Sequence, residues 1–526
     1  MKQVVIVGGG IAGLSAAYSL QKLAKESGSE MAITLLEAAK TMGGKIVTHR
    51  TNGFVIEGGP DTFLATKLWA VRLCNELGLG ERLHGTNPEH RNTYVLRNGR
   101  LHPLPEGLTM MVPTRITPML RTGLLSWAAK ARMGMDFFLP PRSRNGDESL
   151  GEFVSRRLGR QVYENLIEPL MSGIYAGDGD ALSLKATFPY LRDFELEHGG
   201  VVKGALAARK KLAQNSTSRD GNRSSKRSVF LTPETGLAEI VEALVSRLET
   251  GGATLRTGVR VRKLTASPSL ASSMSASSMS AQDDRIKAPA GENLRFIVEL
   301  DDEEQLVADA VILATPAYVS GDLLEESDPA LASDLLSIPY VSTATVSLAY
   351  RQDDLPRPLD GYGYMIPRSE GRKALACTWT STKFPHRAPE DFALLRVFIG
   401  RAGQEDSLLW KEPDLLEVAR EEVRATLGIE AAPALARVFV WDRAMPQYNL
   451  GHPDRLKRIE SAMARWPGLA LAGNGYTGIG LPDCIRSGQE AAESVYKTAL
   501  SLKRRDHLGD PYPREVVGKR QAKQDH

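Results

Sequence analysis

The chain has 526 residues, a formal net charge of +3 and 42% hydrophobic residues. That length allows more than one domain and a large buried core, and a near-neutral charge gives no global case for a nucleic-acid binder. Cys74, Cys377 and Cys484 lie far apart and form no Cys-x-x-Cys, which argues against a disulfide framework or structural zinc and fits a reducing, cytoplasmic setting.

The N-terminal residues enter an apolar strand almost at once, so no secretory signal is expected. No run of 18 apolar residues occurs, so no transmembrane helix is expected. The opening strand, Val4-Val5-Ile6-Val7, leads into Gly8-Gly9-Gly10-Ile11-Ala12-Gly13 and a helix through about Leu20. A second strand, Ile33–Leu36, ends in Glu37. Gly8 allows a tight turn, Gly10 lets a pyrophosphate approach the backbone, and Gly13 lets the helix pack on the strand. The helix start offers free N–H groups and partial positive charge. Glu37 is placed for a ribose diol and repels a 2′-phosphate, which favours FAD or NAD over NADP.

Two glycine pairs follow. Met42-Gly43-Gly44-Lys45 can bring backbone close to a cofactor, and Glu57-Gly58-Gly59-Pro60-Asp61-Thr62 can hold a rigid backbone beside a flat ring. Residues 97–205 read as mostly helical, for example Leu150–Leu158 and Gln161–Met171. The apolar stretch from Leu104 to Phe138 either covers its own domain core or the mouth of a pocket, or lies on a membrane surface, and the lack of a strongly charged face favours the former. Residues 214–227 and 267–292 are polar or Ser-rich and read as flexible insertions. The basic residues from Arg219 to Arg227 and the tail 503–526 read as solvated.

Strands are expected at Val259–Leu264, Leu294–Leu300 and Asp309–Ala314. Alternating runs at Ala344–Tyr350, Ala374–Trp379 and Ala393–Ile399 point to an antiparallel sheet with one solvated face. A helix is expected at about Pro413–Thr426. Near the end, Leu469–Gly473 is a strand. It leads through Asn474-Gly475-Tyr476-Thr477-Gly478-Ile479-Gly480-Leu481-Pro482 into a helix over Asp483–Ala499. This second helix start would stabilise negative charge on a reduced flavin.

The fold class is therefore α/β. A Rossmann-like domain for FAD or NAD (1–60, 229–318 and 440–500) is interleaved with an antiparallel-sheet domain expected to take the substrate (61–96 and 319–439) and a mostly helical domain (97–205).

Together, these segments resemble the superfamily of FAD amine oxidases, phytoene desaturases and protoporphyrinogen oxidases. Within it, the chain is most similar to the coproporphyrin-forming coproporphyrinogen III oxidases of Gram-positive bacteria. The likeness runs through Gly58–Leu64, Glu168–Asp178, Ala376–Trp379 with Pro385-His386, Met445–Tyr448 and Gly478–Ile485. It covers the chain except the two insertions and the tail, which depart from the compact family pattern.

The resemblance implies FAD contacts at Gly8, Gly9, Gly10, Ile11, Ala12, Gly13, Glu37, Ala38, Lys45, Gly59, Pro60, Asp61 and Thr62, and at Val261, Trp441, Ile479, Gly480 and Leu481. It implies that FAD accepts hydride from a porphyrinogen macrocycle and that O2 reoxidises it with release of H2O2 in haem biosynthesis. No catalytic base is assigned: the proton can leave to flavin, water or a nearby group.

A wide apolar tetrapyrrole with propionate arms needs an apolar slot and rim cations. Lys67 is the candidate propionate partner, and Ile174 and Tyr175 are candidates for the slot wall. His386 and His452 read as surface loop residues. Weak contact with a membrane surface and hand-over to a ferrochelatase-type partner stay open. So does the choice between coproporphyrinogen III and protoporphyrinogen IX. A flavin amine oxidase, a carotenoid desaturase and a non-enzymatic nucleotide-binding scaffold are the rival readings.

Overall fold

The computed structural model describes residues 1–109, 112–142, 146–217, 228–268, 294–404 and 411–505. Most of both insertions and of the charged tail lies outside these. Residues 214–217 close the helix Val201–Thr217, Ser267 and Pro268 end the strand Val261–Pro268, and residues 503–505 end the last helix.

Five parallel strands form the nucleotide-binding layer, in the order Thr254–Thr257, Met31–Glu37, Lys2–Val7, Ala310–Leu313, Leu469–Leu471. A strand covered on both faces needs apolar side chains on both, which is why Val4–Val7 is continuously apolar. Val4 and Ile6 point into one core with the helices Ile11–Ser27, Ala238–Thr250 and Leu481–Arg505. Val5 and Val7 point into another, beneath an antiparallel sheet of Val261–Pro268, Leu294–Leu300 and Gln305–Ala308.

A seven-stranded sheet forms the second layer, in the order Leu435–Pro446, Tyr340–Arg351, Phe392–Ile399, Ala374–Trp379, Gly361–Met365, Asn92–Arg97, Arg100–Pro103. All its pairs are antiparallel except Gly361–Met365 with Asn92–Arg97. The amphipathic helix Glu412–Leu427 lays Leu415, Ala419 and Val423 on one face of it. A third core belongs to the helical region, where Phe153, Leu166, Met171, Tyr175 and Phe188 pack together.

Three edges of the expected domain division fall differently. Leu435–Pro446 is one strand of the seven-stranded sheet, so residue 440 cuts an element. Arg100–Pro103 is the edge strand of that sheet, so the helical region starts later than 97. Ala70, Leu73 and Cys74 of the helix Leu68–Glu76 sit in the nucleotide-binding core, because this helix packs on the last one. The stretch from Leu104 to Phe138 splits: Val112, Met119, Leu124 and Leu125 enter the helical core, while Trp127 and Phe138 are exposed. Among the described residues no helix is long and apolar enough to cross a membrane.

The last helix seats on the first through glycine. A Cβ on Gly488 would stand 2.1 Å from the Ala12 carbonyl oxygen, too close for any real contact. Gly488→Ala should therefore force the two helices apart and cost about 1–3 kcal/mol of stability. Thermal unfolding of the ligand-free protein measures this, and an unchanged Tm contradicts the packing argument.

Candidate functional site: a dinucleotide track between two helix starts

Gly8 has φ +108°, and a Cβ there would lie 2.7 Å from the Ala314 carbonyl oxygen. At Gly13 a Cβ would lie 1.9 Å from the Gly8 carbonyl oxygen. Both glycines are required by close backbone approach. Gly10 differs, since a Cβ there would meet nothing within 4 Å. It caps a helix start with no side-chain cap and no acidic residue in the first turn. Open space before uncapped N–H groups is what a pyrophosphate needs, so Ile11, Ala12 and Gly13 could hold one.

Glu37 ends its strand beside this turn. Its carboxylate accepts the N–H groups of Gly9 at 2.7 Å and Ala39 at 2.8 Å. Each carboxylate oxygen keeps a further acceptor position for a ribose hydroxyl, and Ala38 lies in the turn thus fixed. Val259 N–H donates to the Glu37 carbonyl at 3.0 Å, which brings Val261 and its strand alongside. Val261 is buried in the core beneath the parallel sheet.

From there the track is continuous. Gly43 N–H donates to Gly9 O at 2.9 Å, and Gly44, with φ +57°, stands against the Gly10 Cα. Lys45 Nζ donates to the Ala444 carbonyl at 2.6 Å, and burial lowers its pKa to about 8. A Cβ on Gly59 would fall 1.8 Å from the Lys45 carbonyl oxygen. Trp441 Nε1 donates to the Gly58 carbonyl at 2.9 Å. Pro60 then removes one donor from the backbone and stiffens it. Thr62 Oγ1 donates to Asp61 Oδ1 at 3.1 Å, and Asp61 pairs with Lys383 at 3.1 Å.

At the far end, Ile479 packs against the helical core and Leu481 begins the last helix. Gly480 accepts the N–H groups of Asp483 at 2.9 Å and Cys484 at 3.0 Å.

Lys67 is not the free rim cation that the sequence suggests. Its ammonium lies 2.5 Å from Asp483 Oδ2, with the lysine 40% and the aspartate 8% exposed. Ile174 is 46% exposed and Tyr175 is buried. The Tyr175 ring meets Phe188 and Tyr448 edge-on, so the adjacent residue, Ile174, is the better placed of the two to face a ligand. His452 is a correction. It is 1% exposed rather than a surface histidine, and its ring stacks on Tyr448 at 4.3 Å. It shares a hydrogen bond with the Tyr476 carbonyl at 2.9 Å. His386 is half-buried against the His84 ring, and burial, Arg387 and His84 lower its pKa to about 4.

Several residues that shape the site are given no role by the sequence reading, although Gln447 and Tyr448 fall in the stretch Met445–Tyr448. Tyr448 Oη donates to the Asn474 carbonyl at 2.6 Å and braces the second glycine loop. Gln447 Nε2 donates to the Tyr175 carbonyl at 2.9 Å, Ala402 N–H to Ala176 O at 2.8 Å, and Arg368 to Gly177 O at 3.2 Å. Three successive carbonyls of the helical region are thus held by three other segments, around an Ala176 with φ +49°. Arg396 grips the Gly58 and Gly59 carbonyls. A lone arginine inside an apolar strand was the available signal for it.

Two outcomes follow. Lys67→Ala leaves Asp483 buried without its cation at the head of the last helix. A double-mutant cycle with Asp483→Asn should return a coupling of about 1 kcal/mol, modest because Lys67 is partly solvated, and Lys67→Ala should lower FAD retention. Burial alone would raise the Asp61 pKa, but Lys383 and Arg396 override it and hold it at about 2. A carboxyl with a depressed folded pKa stabilises fully above its unfolded value, near about 4, and loses that contribution as pH falls toward 2. Stability curves from pH 5 to 2 should be flatter for Asp61→Asn than for the parent.

The model for the family "Flavin containing amine oxidoreductase" matches residues 11–496. Coproporphyrinogen III oxidase of Bacillus subtilis (strain 168) is 38% identical over 496 residues, covering 94% of this chain and 98% of its own. Protoporphyrinogen oxidase 1 of Arabidopsis thaliana, a chloroplast protein, is 30% identical, covering 95% of this chain and 87% of its own. A crystal structure from Exiguobacterium sp. 255-15, provisionally assigned as a protoporphyrinogen oxidase, superposes with a TM-score of 0.76. It is 32% identical and covers 94% of this chain and 98% of its own. The chain belongs to the flavin-containing amine oxidoreductase family, which makes FAD its cofactor.

Proposed function

We propose that this protein oxidises coproporphyrinogen III to coproporphyrin III, with O2 as acceptor and H2O2 as by-product, in haem biosynthesis. The observation that carries the cofactor part is the run of contacts from Glu37 through Gly9 and Gly43 to Lys45 and Gly59, with the head of the last helix tied to the same segment by Lys67 and Asp483. The identity with the Bacillus subtilis enzyme supports the substrate. Bound FAD supplies a two-electron acceptor that O2 can reoxidise.

The residues of the chain do the rest. Gly8 to Gly13 take the pyrophosphate and Glu37 with Ala38 the ribose. Lys45, Gly59 to Thr62, Val261, Trp441 and Ile479 to Leu481 border the remainder of the cofactor. Lys45 is pinned to the Ala444 carbonyl, so its charge stays at one place beside the track. Ile174 forms part of the substrate wall, with Tyr175 fixing it from behind. Lys67 acts through Asp483 rather than through a propionate. No side chain serves as a nucleophile. In this reading the macrocycle lies between the seven-stranded sheet and the helical region, beside Ile174, whose exposure supports that position.

Tyr476 is the single aromatic of the second glycine loop, and its ring sits in the core beneath the parallel sheet. That leaves the loop without the aromatic pair that an amine oxidase would turn toward its flavin. As part of the same proposal, the protein acts in the cytoplasm and passes its product to a ferrochelatase-type partner. The exposed Trp127 and Phe138 support weak contact with a membrane surface.

An anaerobic half-reaction tests the proposal. Each porphyrinogen and a primary amine are mixed separately with the FAD-loaded protein, and flavin absorbance is followed. Coproporphyrinogen III should bleach it fastest. Bleaching by the amine alone would sink the reading.

A further inference from the structure

A buried charge cluster lies behind the Gly58–Asp61 segment. Arg396, 3% exposed, stands on the strand Phe392–Ile399 opposite Ser347. Its Nη2 donates to the Gly58 carbonyl at 3.0 Å and also to the Gly59 carbonyl. Thr345 Oγ1 and Trp441 Nε1 each donate to the same Gly58 oxygen at 2.9 Å. Three donors from three strands therefore fix one carbonyl.

A trans peptide is planar, so a carbonyl turned into the sheet turns the following N–H the opposite way. For Gly58 that N–H belongs to Gly59. The Gly59 carbonyl precedes Pro60, so its peptide has no N–H to aim.

The charges around this point do not balance. Lys383, Arg387 and Arg396 face Glu57 and Asp61. Lys383 pairs with Asp61, and Arg387 with Glu57 at 2.9 Å. Among the described ion pairs Arg396 has no carboxylate of its own, although Asp61 and Glu57 attract it from farther away. One positive charge is left over where water does not screen it.

We propose that Arg396 is a positioning residue for the flavin ring: it aims the Gly59 N–H toward the ring and places one uncompensated buried positive charge behind the segment that the ring rests on. This rests on the flavin reading above and adds a determinant of the cofactor's reduction potential. Reduced flavin carries negative charge, so the buried cation stabilises it and raises the potential.

The test uses the full chain loaded with FAD and titrated with dithionite and a reference dye, without any tetrapyrrole. Arg396→Gln should shift the potential to more negative values and raise the FAD Kd about tenfold or more, as expected for loss of a charged hydrogen bond. Arg396→Lys should restore most of the potential but not the affinity. Thr345→Val should weaken FAD binding with the potential unchanged. Should Arg396→Gln not fold, Lys383→Met, which frees Asp61 to neutralise Arg396, should give the same negative shift. A folded Arg396→Gln, or in its absence Lys383→Met, with the parental potential overturns the proposal. Failure of coproporphyrinogen to bleach the flavin would not touch this result, because the titration needs no substrate.

Discussion

The fold depends on glycine-tight seating of the first helix, against the strand before it and against the last helix. Gly13 lets the helix touch the turn at Gly8, and Gly488 lets the last helix touch the first turn at Ala12. These contacts leave no room for a methyl group. They set the spacing between an N-terminal helix start and the C-terminal helix that the parallel sheet presents beside it. The intervening chain leaves the sheet and returns to it, so everything inserted between inherits that spacing. Val4 to Val7 feed both cores of the layer, and a shift in one face would strain the other.

The second layer acts on the site by gripping carbonyls. Gly58 is held by Arg396, Thr345 and Trp441, and Ala444 by Lys45. Tyr175, Ala176 and Gly177 are held by Gln447, Ala402 and Arg368. Buried carbonyls must be satisfied, and a planar peptide then has only one orientation for its N–H. The side chains that do this sit mainly on rigid strands or in the segments that join them. Backbone donors facing a ligand can therefore be preset without any side chain touching that ligand, which is how a site can be exact in geometry while few of its residues are chemically reactive.

The local features were legible in the sequence. The Gly-x-Gly-x-x-Gly turn, Glu37, the strands at Leu294–Leu300 and Ala374–Trp379 and the final helix all follow from patterns shorter than about 20 residues. What stayed hidden depends on distant pairings. Nothing near Asn92 announces that its strand joins Gly361–Met365 in parallel. Gly488 lies in a helix whose periodicity reads well without it, and its purpose is visible only when Ala12 is seen beneath it. His452 follows a Gly and precedes a Pro, both loop signals, yet it caps the core because Tyr448 stacks on it. Lys67 looked like a free cation because its partner, Asp483, comes from the other end of the chain.

That last pairing also explains how a carboxylate can be tolerated at the head of the last helix. Asp483 lies in the first turn, where a negative charge gains from the helix dipole. The same charge would cancel the positive field that the helix start offers to a flavin. Lys67 removes the conflict, since its ammonium neutralises Asp483 at 2.5 Å while the Asp483 and Cys484 N–H groups close on the Gly480 carbonyl. The helix start keeps its shape from the aspartate and its positive field from the lysine. Lys45, held at Ala444 within electrostatic reach of Cys484, adds to the same field, so the C-terminal end of the track is positive through Lys45 and the helix start, with Lys67 cancelling Asp483.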